Sequence, residues 1–201
     1  AASYAVARAV HQISPDKIKK AIASYRGLPH RQELVAAHKG ITFINDSKAT
    51  SMEAAICALA SFSNIYWLVG GHPKTDSFDI QADSPTLLNV KRVYPFGEAG
   101  PEYAARFKDH FPTATAGTLE QALKHAMKDA AQAGEKATIL LAPACSSYDA
   151  YNNFEERGNH FKTVVRKIIT QTPKPERSAP AAPSERRPKA RPARKKTSPK
   201  K

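Results

Sequence analysis

Short apolar runs at 41–44, 65–69, 92–96 and 137–141 alternate along this chain with stretches of helical periodicity. Each run is too short for a helix of its own and ends in a cluster of small or polar residues, as a buried strand does. A further strand candidate, 33–37, is joined to 41–44 by the turn-forming Lys39-Gly40. The helical stretches carry their own punctuation. Thr50 or Ser51 caps 51–62, and 101–111 opens on a proline. Thr118 with Gln121 forms a capping box for a helix that Gly134 stops, and a last helix covers 154–169. Upstream, 1–12 is Ala-rich. Ser14-Pro15-Asp16 then reads as N-cap, first-turn proline and early acid before Ile18, Ala21, Ile22 and Tyr25, with Gly27 as the stop. Strands alternating with helices predict an α/β fold, a Rossmann-like, mainly parallel sheet with helices on both faces.

Charge separates the chain into unequal parts. The formal net charge is +13, but 171–201 holds eleven Lys and Arg against Glu176 and Glu185, together with seven of the fifteen prolines. After Thr172 there is no aromatic or large aliphatic residue. Such a segment cannot bury enough apolar surface to offset its ordering entropy, so it is expected to be a disordered basic tail. Its Lys and Arg clusters fit contact with nucleic acid or an anionic membrane, and a solvated extension is the simpler expectation. Cys57 and Cys145 make no disulfide framework, and no apolar run is long enough for a membrane span or a signal peptide. A cytoplasmic protein is expected. The start in Ala1-Ala2-Ser3-Tyr4 reads as the interior of a helix, which predicts that more chain precedes it.

In open parallel sheets ligands lie beyond the carboxyl ends of the strands. Three loops meet that condition: Asn45-Asp46-Ser47-Lys48-Ala49-Thr50, Gly70-Gly71-His72-Pro73-Lys74 and Ala142-Pro143-Ala144-Cys145-Ser146-Ser147. Lysines and hydroxyls converging there suit a carboxylate or phosphate ligand.

These loops, with Gly27-Leu28-Pro29-His30-Arg31, Phe96-Gly97-Glu98, Gly100-Pro101 and Asn153-Phe154-Glu155-Glu156-Arg157-Gly158, resemble the Mur ligase family. The resemblance covers about 1–170, and its last motif points to the branch that adds D-glutamate to UDP-N-acetylmuramoyl-L-alanine rather than to the tripeptide- or folate-adding branches. It implies an ATP- and Mg2+-dependent ligation in which a carboxylate is phosphorylated and the acyl phosphate is attacked by the amine of D-glutamate. It implies that Arg31 and Asp46 face ATP, that Lys48 is catalytic, and that Thr50, Lys74, Ser147, Tyr148 and Phe154 form the D-glutamate pocket with Lys48. It further implies that 1–26 are remnant helices of a central ATPase domain and 27–170 the C-terminal domain. No Gly-x-x-x-x-Gly-Lys-[Ser/Thr] phosphate loop and no set of magnesium ligands occurs in the sequence, so the chain alone is expected to be inactive. A monomer is expected. His72, Pro73, Ala142 and Ser51 depart from common family residues without removing a pocket position.

Alone, each signal has a plainer reading. Gly70-Gly71 is a tight turn, and Lys48 and Lys74 are solvated charges. Cys145 is a small buried residue rather than a nucleophile, since no histidine adjoins it in sequence. His30, His38, His72, His110, His125 and His160 lack metal-ligand spacing. Glu155 and Glu156 complement the positive end of a helix.

Overall fold

The computed structural model describes residues 2–73 and 85–171. Its centre is a five-stranded sheet: β1 (Glu33–His38), β2 (Ile41–Asn45), β3 (Ile65–Gly70), β4 (Val90–Phe96) and β5 (Ala137–Ala144). Spatial order is β1-β2-β5-β3-β4. β2, β5, β3 and β4 run parallel, and β1 folds back antiparallel on β2. That reversal follows from Lys39 and Gly40, whose φ of 49° and 82° make the two-residue turn that suits strand twist. The edges also fit their residues. β1 carries a bulge between Leu34 and Ala36, and Pro95, which has no N–H to give a neighbouring strand, lies on edge strand β4.

Strand residues alternate between two cores. Ile44, Ile65, Trp67, Val69, Val93, Leu140 and Ala142 pack on α3 (Met52–Leu59) and α4 (Gly100–Phe107). Phe43, Tyr66, Leu68, Tyr94, Phe96, Ile139 and Leu141 face α5 (Leu119–Ala133) and α6 (Phe154–Gln171). Both faces are covered, so the runs read as uninterrupted apolar stretches. Trp67 is fully buried, and its Nε1 donates to the Ala142 carbonyl (2.8 Å).

The local signals match in part. Thr118 and Gln121 form the capping box, Ser51 accepts from Ala54 N–H, and Gly134 closes α5 at φ 69°. Ser14 has N-cap backbone geometry without a side-chain cap bond. α3 and α4 stop earlier than periodicity predicts, and a 3-10 turn at Pro85–Asn89 precedes β4. Helices α1 (Ala2–Ala9) and α2 (Pro15–Ser24) bury only Ile18.

The parallel strands end along one edge. At that edge Gly70 has φ 138°, and a Cβ there would overlap the Phe96 carbonyl. Gly70→Ala should therefore destabilise the chain by about 3 kcal/mol or more, read from urea unfolding. A cost under about 1 kcal/mol would show that the β3–β4 ends tolerate separation.

Candidate functional site

Four loops leave that edge: 46–50 after β2, 71–73 after β3, 97–99 after β4 and 145–147 after β5. Arg157, on the first turn of α6, binds two of them together. Its side chain is fully buried. Nε donates to Ser47 Oγ (3.0 Å) and Nη2 to the carbonyls of Ser47 and Cys145 (3.0 Å each). Nη1 donates to the Ser146 carbonyl (2.9 Å). Ser47 Oγ in turn donates to the Phe154 carbonyl (2.8 Å). Burial pulls the guanidinium down to about 10, with Asp149 acting against it, so Arg157 remains a cation at neutral pH.

Lys48 leaves this clamp with its Nζ 3.9 Å from the Phe154 ring centroid, a cation–π contact. Its backbone N–H donates to the His30 carbonyl (3.1 Å), and its carbonyl accepts from Thr50 N–H (2.8 Å). Asp46 is buried, with Oδ1 accepting from Gln32 N–H (3.2 Å). Burial raises its pKa against the opposing effects of that N–H and the Arg31 charge. A pocket of about 340 Å³ is lined by Arg31, Gln32, Asp46, Lys48, Ala49, Ala54 and Cys57.

Three of the residues expected at a site, Arg31, Asp46 and Lys48, thus share one pocket. Thr50, Ser147, Tyr148 and Phe154 do not line it. Thr50 is half-buried beside Lys48. Ser147 is buried, its carbonyl accepting from Ala150 and Tyr151 N–H groups (3.2 and 2.9 Å), and Tyr148 is exposed. Phe154 is linked to the pocket's surroundings through Lys48, through Ser47 and through an edge-on contact with the His30 ring (centroids 6.0 Å). Lys74 lies outside the described residues. Cys145 is buried, with its thiol pKa pushed up by burial, which leaves it a packing residue.

Sequence reasoning missed the residues that hold this arrangement. Arg157 sat in a quoted motif without a role, and Asn45 and Glu33 carried no chemical expectation. Asn45 is fully buried, with Nδ2 hydrogen-bonded to His30 Nδ1 and donating to Glu33 Oε2, both at 3.0 Å. A polar residue closing an otherwise apolar strand was the available signal. Gly158 lets α6 reach this group, because a Cβ there would overlap the His30 ring. Among the described residues no cluster of His, Cys, Asp or Glu could hold a metal ion, and no helix is long and apolar enough to cross a membrane.

No family model matches the chain. Among curated proteins it is 40% identical over 168 residues to the UDP-N-acetylmuramoylalanine–D-glutamate ligase of Phenylobacterium zucineum, a match covering 84% of this chain and 35% of the relative. The ligases of the same name from Agrobacterium fabrum and Rickettsia conorii are each 42% identical. Those matches cover 80% of this chain, and 34% and 32% of the relatives. Over about four-fifths of its length the chain is therefore similar to UDP-N-acetylmuramoylalanine–D-glutamate ligases. It spans about a third of the length of the curated relatives it matches.

Within this fold, the clamp has measurable consequences. Arg157→Met should cost about 3–5 kcal/mol in urea unfolding, because Ser47, Cys145 and Ser146 lose their buried donor. A loss below about 1 kcal/mol would show that the loops hold without it. Stability should also fall as the pH drops below the ordinary histidine value of about 6.5. Burial and Lys162 hold the His30 pKa below its ordinary value, so the unfolded chain takes up the proton first. The decline between pH 7 and 5 should be shallower in His30→Asn, and an equal slope would contradict that origin.

Proposed function

We propose that this chain is the C-terminal, glutamate-binding domain of a ligase that joins D-glutamate to UDP-N-acetylmuramoyl-L-alanine at the expense of ATP, in synthesis of a peptidoglycan precursor. The observation that carries the reading is Lys48, which lies between a nucleotide-side pocket and Phe154. One side chain at that point can face both a transferring phosphate and an amino-acid substrate.

The pocket fits ATP in kind. Arg31 and Lys48 suit phosphate, and the buried Asp46 carboxylate suits the hydroxyl donors of a ribose. When bound, ATP supplies the phosphoryl group that activates a carboxylate. Lys48 would neutralise charge developing on the reacting oxygens, held in direction by Phe154 and in height by the His30 carbonyl. Thr50, Ser147, the Tyr148 backbone and Phe154 would hold D-glutamate in attack geometry, joined by Lys74. The described residues offer no fit for Mg2+, so its ligands are assigned to another part of the enzyme.

The domain reading has support in exposure. Of the exposed large hydrophobics among the described residues, Tyr4, Val6, Val10, Ile13, Ile22, Tyr25 and Leu28 precede the first strand, and Leu34, Leu88 and Tyr148 lie elsewhere. That concentration suits helices that pack on a neighbouring domain. Residues 1–26 are read as belonging to that domain, 27–170 as the glutamate-binding domain, and 171–201 as a basic extension.

The test is a chimera in which residues 1–171 replace the matching third of the Phenylobacterium zucineum ligase. It should release phosphate from ATP only with UDP-N-acetylmuramoyl-L-alanine, D-glutamate and Mg2+ present, with L-glutamate inert. The 201-residue chain alone should release none. Lys48→Ala in the chimera should lower kcat by about 100-fold or more, the scale of removing one transition-state donor. A folded chimera without activity would sink the ligase reading, and an unchanged kcat in Lys48→Ala would remove its catalytic role.

A further inference from the structure

We propose that Glu33, which does not line the pocket, is a positioning residue that sets Arg31, Asp46 and Lys48 in place through one partly buried hydrogen-bond hub; the inference rests on the nucleotide reading of that pocket. The Glu33 carboxylate gathers donors from three directions. Oε2 accepts from His30 N–H (3.0 Å) and from Asn45 Nδ2 (3.0 Å), and Oε1 pairs with Lys162 Nζ on α6 (3.2 Å). These hydrogen bonds outweigh burial and keep Glu33 below the usual carboxylate range, so the acceptor stays charged.

Each of the first two donors leads to the pocket. Asn45 Oδ1 accepts from Ser47 N–H (3.2 Å), which directs the turn that presents Asp46 and Lys48. The His30 carbonyl accepts from Lys48 N–H (3.1 Å), and Arg31 follows directly in the chain. Gln32 N–H then donates to Asp46 Oδ1 (3.2 Å). His30 itself has φ 62°, a left-handed conformation that a non-glycine residue keeps only where its surroundings enforce it. Its N–H bond to Glu33 and its ring contact with Asn45 are such constraints. The charged groups facing the ring are Glu33 on β1 and Lys162 and Glu155 on α6. A neutral ring accepts at Nδ1 from Asn45, so the hub has one consistent set of donors and acceptors.

The plainer alternative is that Glu33 only staples β1 to α6 through Lys162. Two variants of the 201-residue chain separate the roles. Glu33→Gln keeps the shape but turns one acceptor oxygen into a donor, while Lys162→Met breaks the staple and leaves the His30 and Asn45 bonds to Oε2. The chains, labelled with 15N, are titrated with ADP and followed at the amides of Arg31, Gln32, Ser47 and Lys48, alongside thermal melts. Glu33→Gln should weaken ADP binding by about tenfold, equal to about 1.4 kcal/mol. It should also move the ligand-free amides of His30, Ser47 and Lys48. Lys162→Met should lower Tm and leave ADP binding within about twofold, short of the tenfold that 1.4 kcal/mol represents. Equal ADP binding by wild type and a folded Glu33→Gln variant overturns the inference, as does an equal loss in Lys162→Met. If ADP perturbs none of these amides in the unaltered chain, the nucleotide reading fails. The placement role is then judged on the ligand-free amides, and unmoved 46–48 signals in Glu33→Gln overturn it.

Discussion

A guanidinium with no exposed surface holds the carboxyl edge of this sheet in one arrangement. Taking a cation out of water is costly, and Arg157 recovers the cost through four hydrogen bonds, three to backbone carbonyls and one to a hydroxyl. The Ser47 and Cys145 carbonyls would otherwise lose this buried donor, while that of Ser146 also accepts from His72 N–H (3.0 Å). The loops after β2 and β5 therefore depend on the same side chain, and the residues they present cannot drift independently. Asp149 supplies an opposing charge nearby without a direct ion pair to Arg157 among the described residues. The geometry around Arg157 is thus set by dipoles, whose directions are fixed by the backbone.

Dependence on backbone direction accounts for the positive φ values found at this edge. Gly70, Gly71 and Gly97 have positive φ, as do His30 and Ala144. Parallel strands all point their C-termini the same way, so the chain must turn sharply four times within a small area. Glycine meets the need where another backbone lies close, as Phe96 does beside Gly70. Ala144 and His30 meet it because neighbours hold them: Ala144 N–H donates to the Ala49 carbonyl (2.9 Å), and His30 is held by Glu33 and Asn45. Of these positions, His30 and Ala144 adjoin residues that line the pocket, Arg31 and Ala49.

Much of the fold was legible because burial on both faces leaves an unbroken apolar run, as in Ile65-Tyr66-Trp67-Leu68-Val69, and caps are local chemistry, as in Thr118 with Gln121. The hairpin at Lys39-Gly40 could be read for the same reason. Helix ends were less legible. α4 stops at Phe107 although Phe111 continues the apolar spacing, because Phe111 packs on Phe107 from a turn rather than from another helical turn (ring centroids 6.1 Å). Asp46 and Lys48 were singled out by motif and strand end together, and Arg31 by motif alone; that the three line one pocket was not legible. Nor were the pocket's supports. Arginine in a charged helical turn normally faces water, and Glu-Glu-Arg-Gly offers no periodicity that distinguishes Arg157 from Glu155 and Glu156. Only the approach of α6 that Gly158 permits carries Arg157 inward.

The division between site and support follows the same physics. Lys48 is held by a ring face and a backbone hydrogen bond, with no carboxylate paired to it among the described residues. A carboxylate partner would spend the charge within the protein. An aromatic face orients the ammonium yet leaves its charge available to an incoming anion, since the attraction is weaker than a full ion pair in a dry site. The carboxylate nearest in function, Glu33, is instead committed to His30, Asn45 and Lys162, one layer behind the pocket. The Glu33 charge is thereby used to build the loop, while Asp46 and Lys48 both line the pocket and the Lys48 charge is left without a carboxylate partner among the described residues.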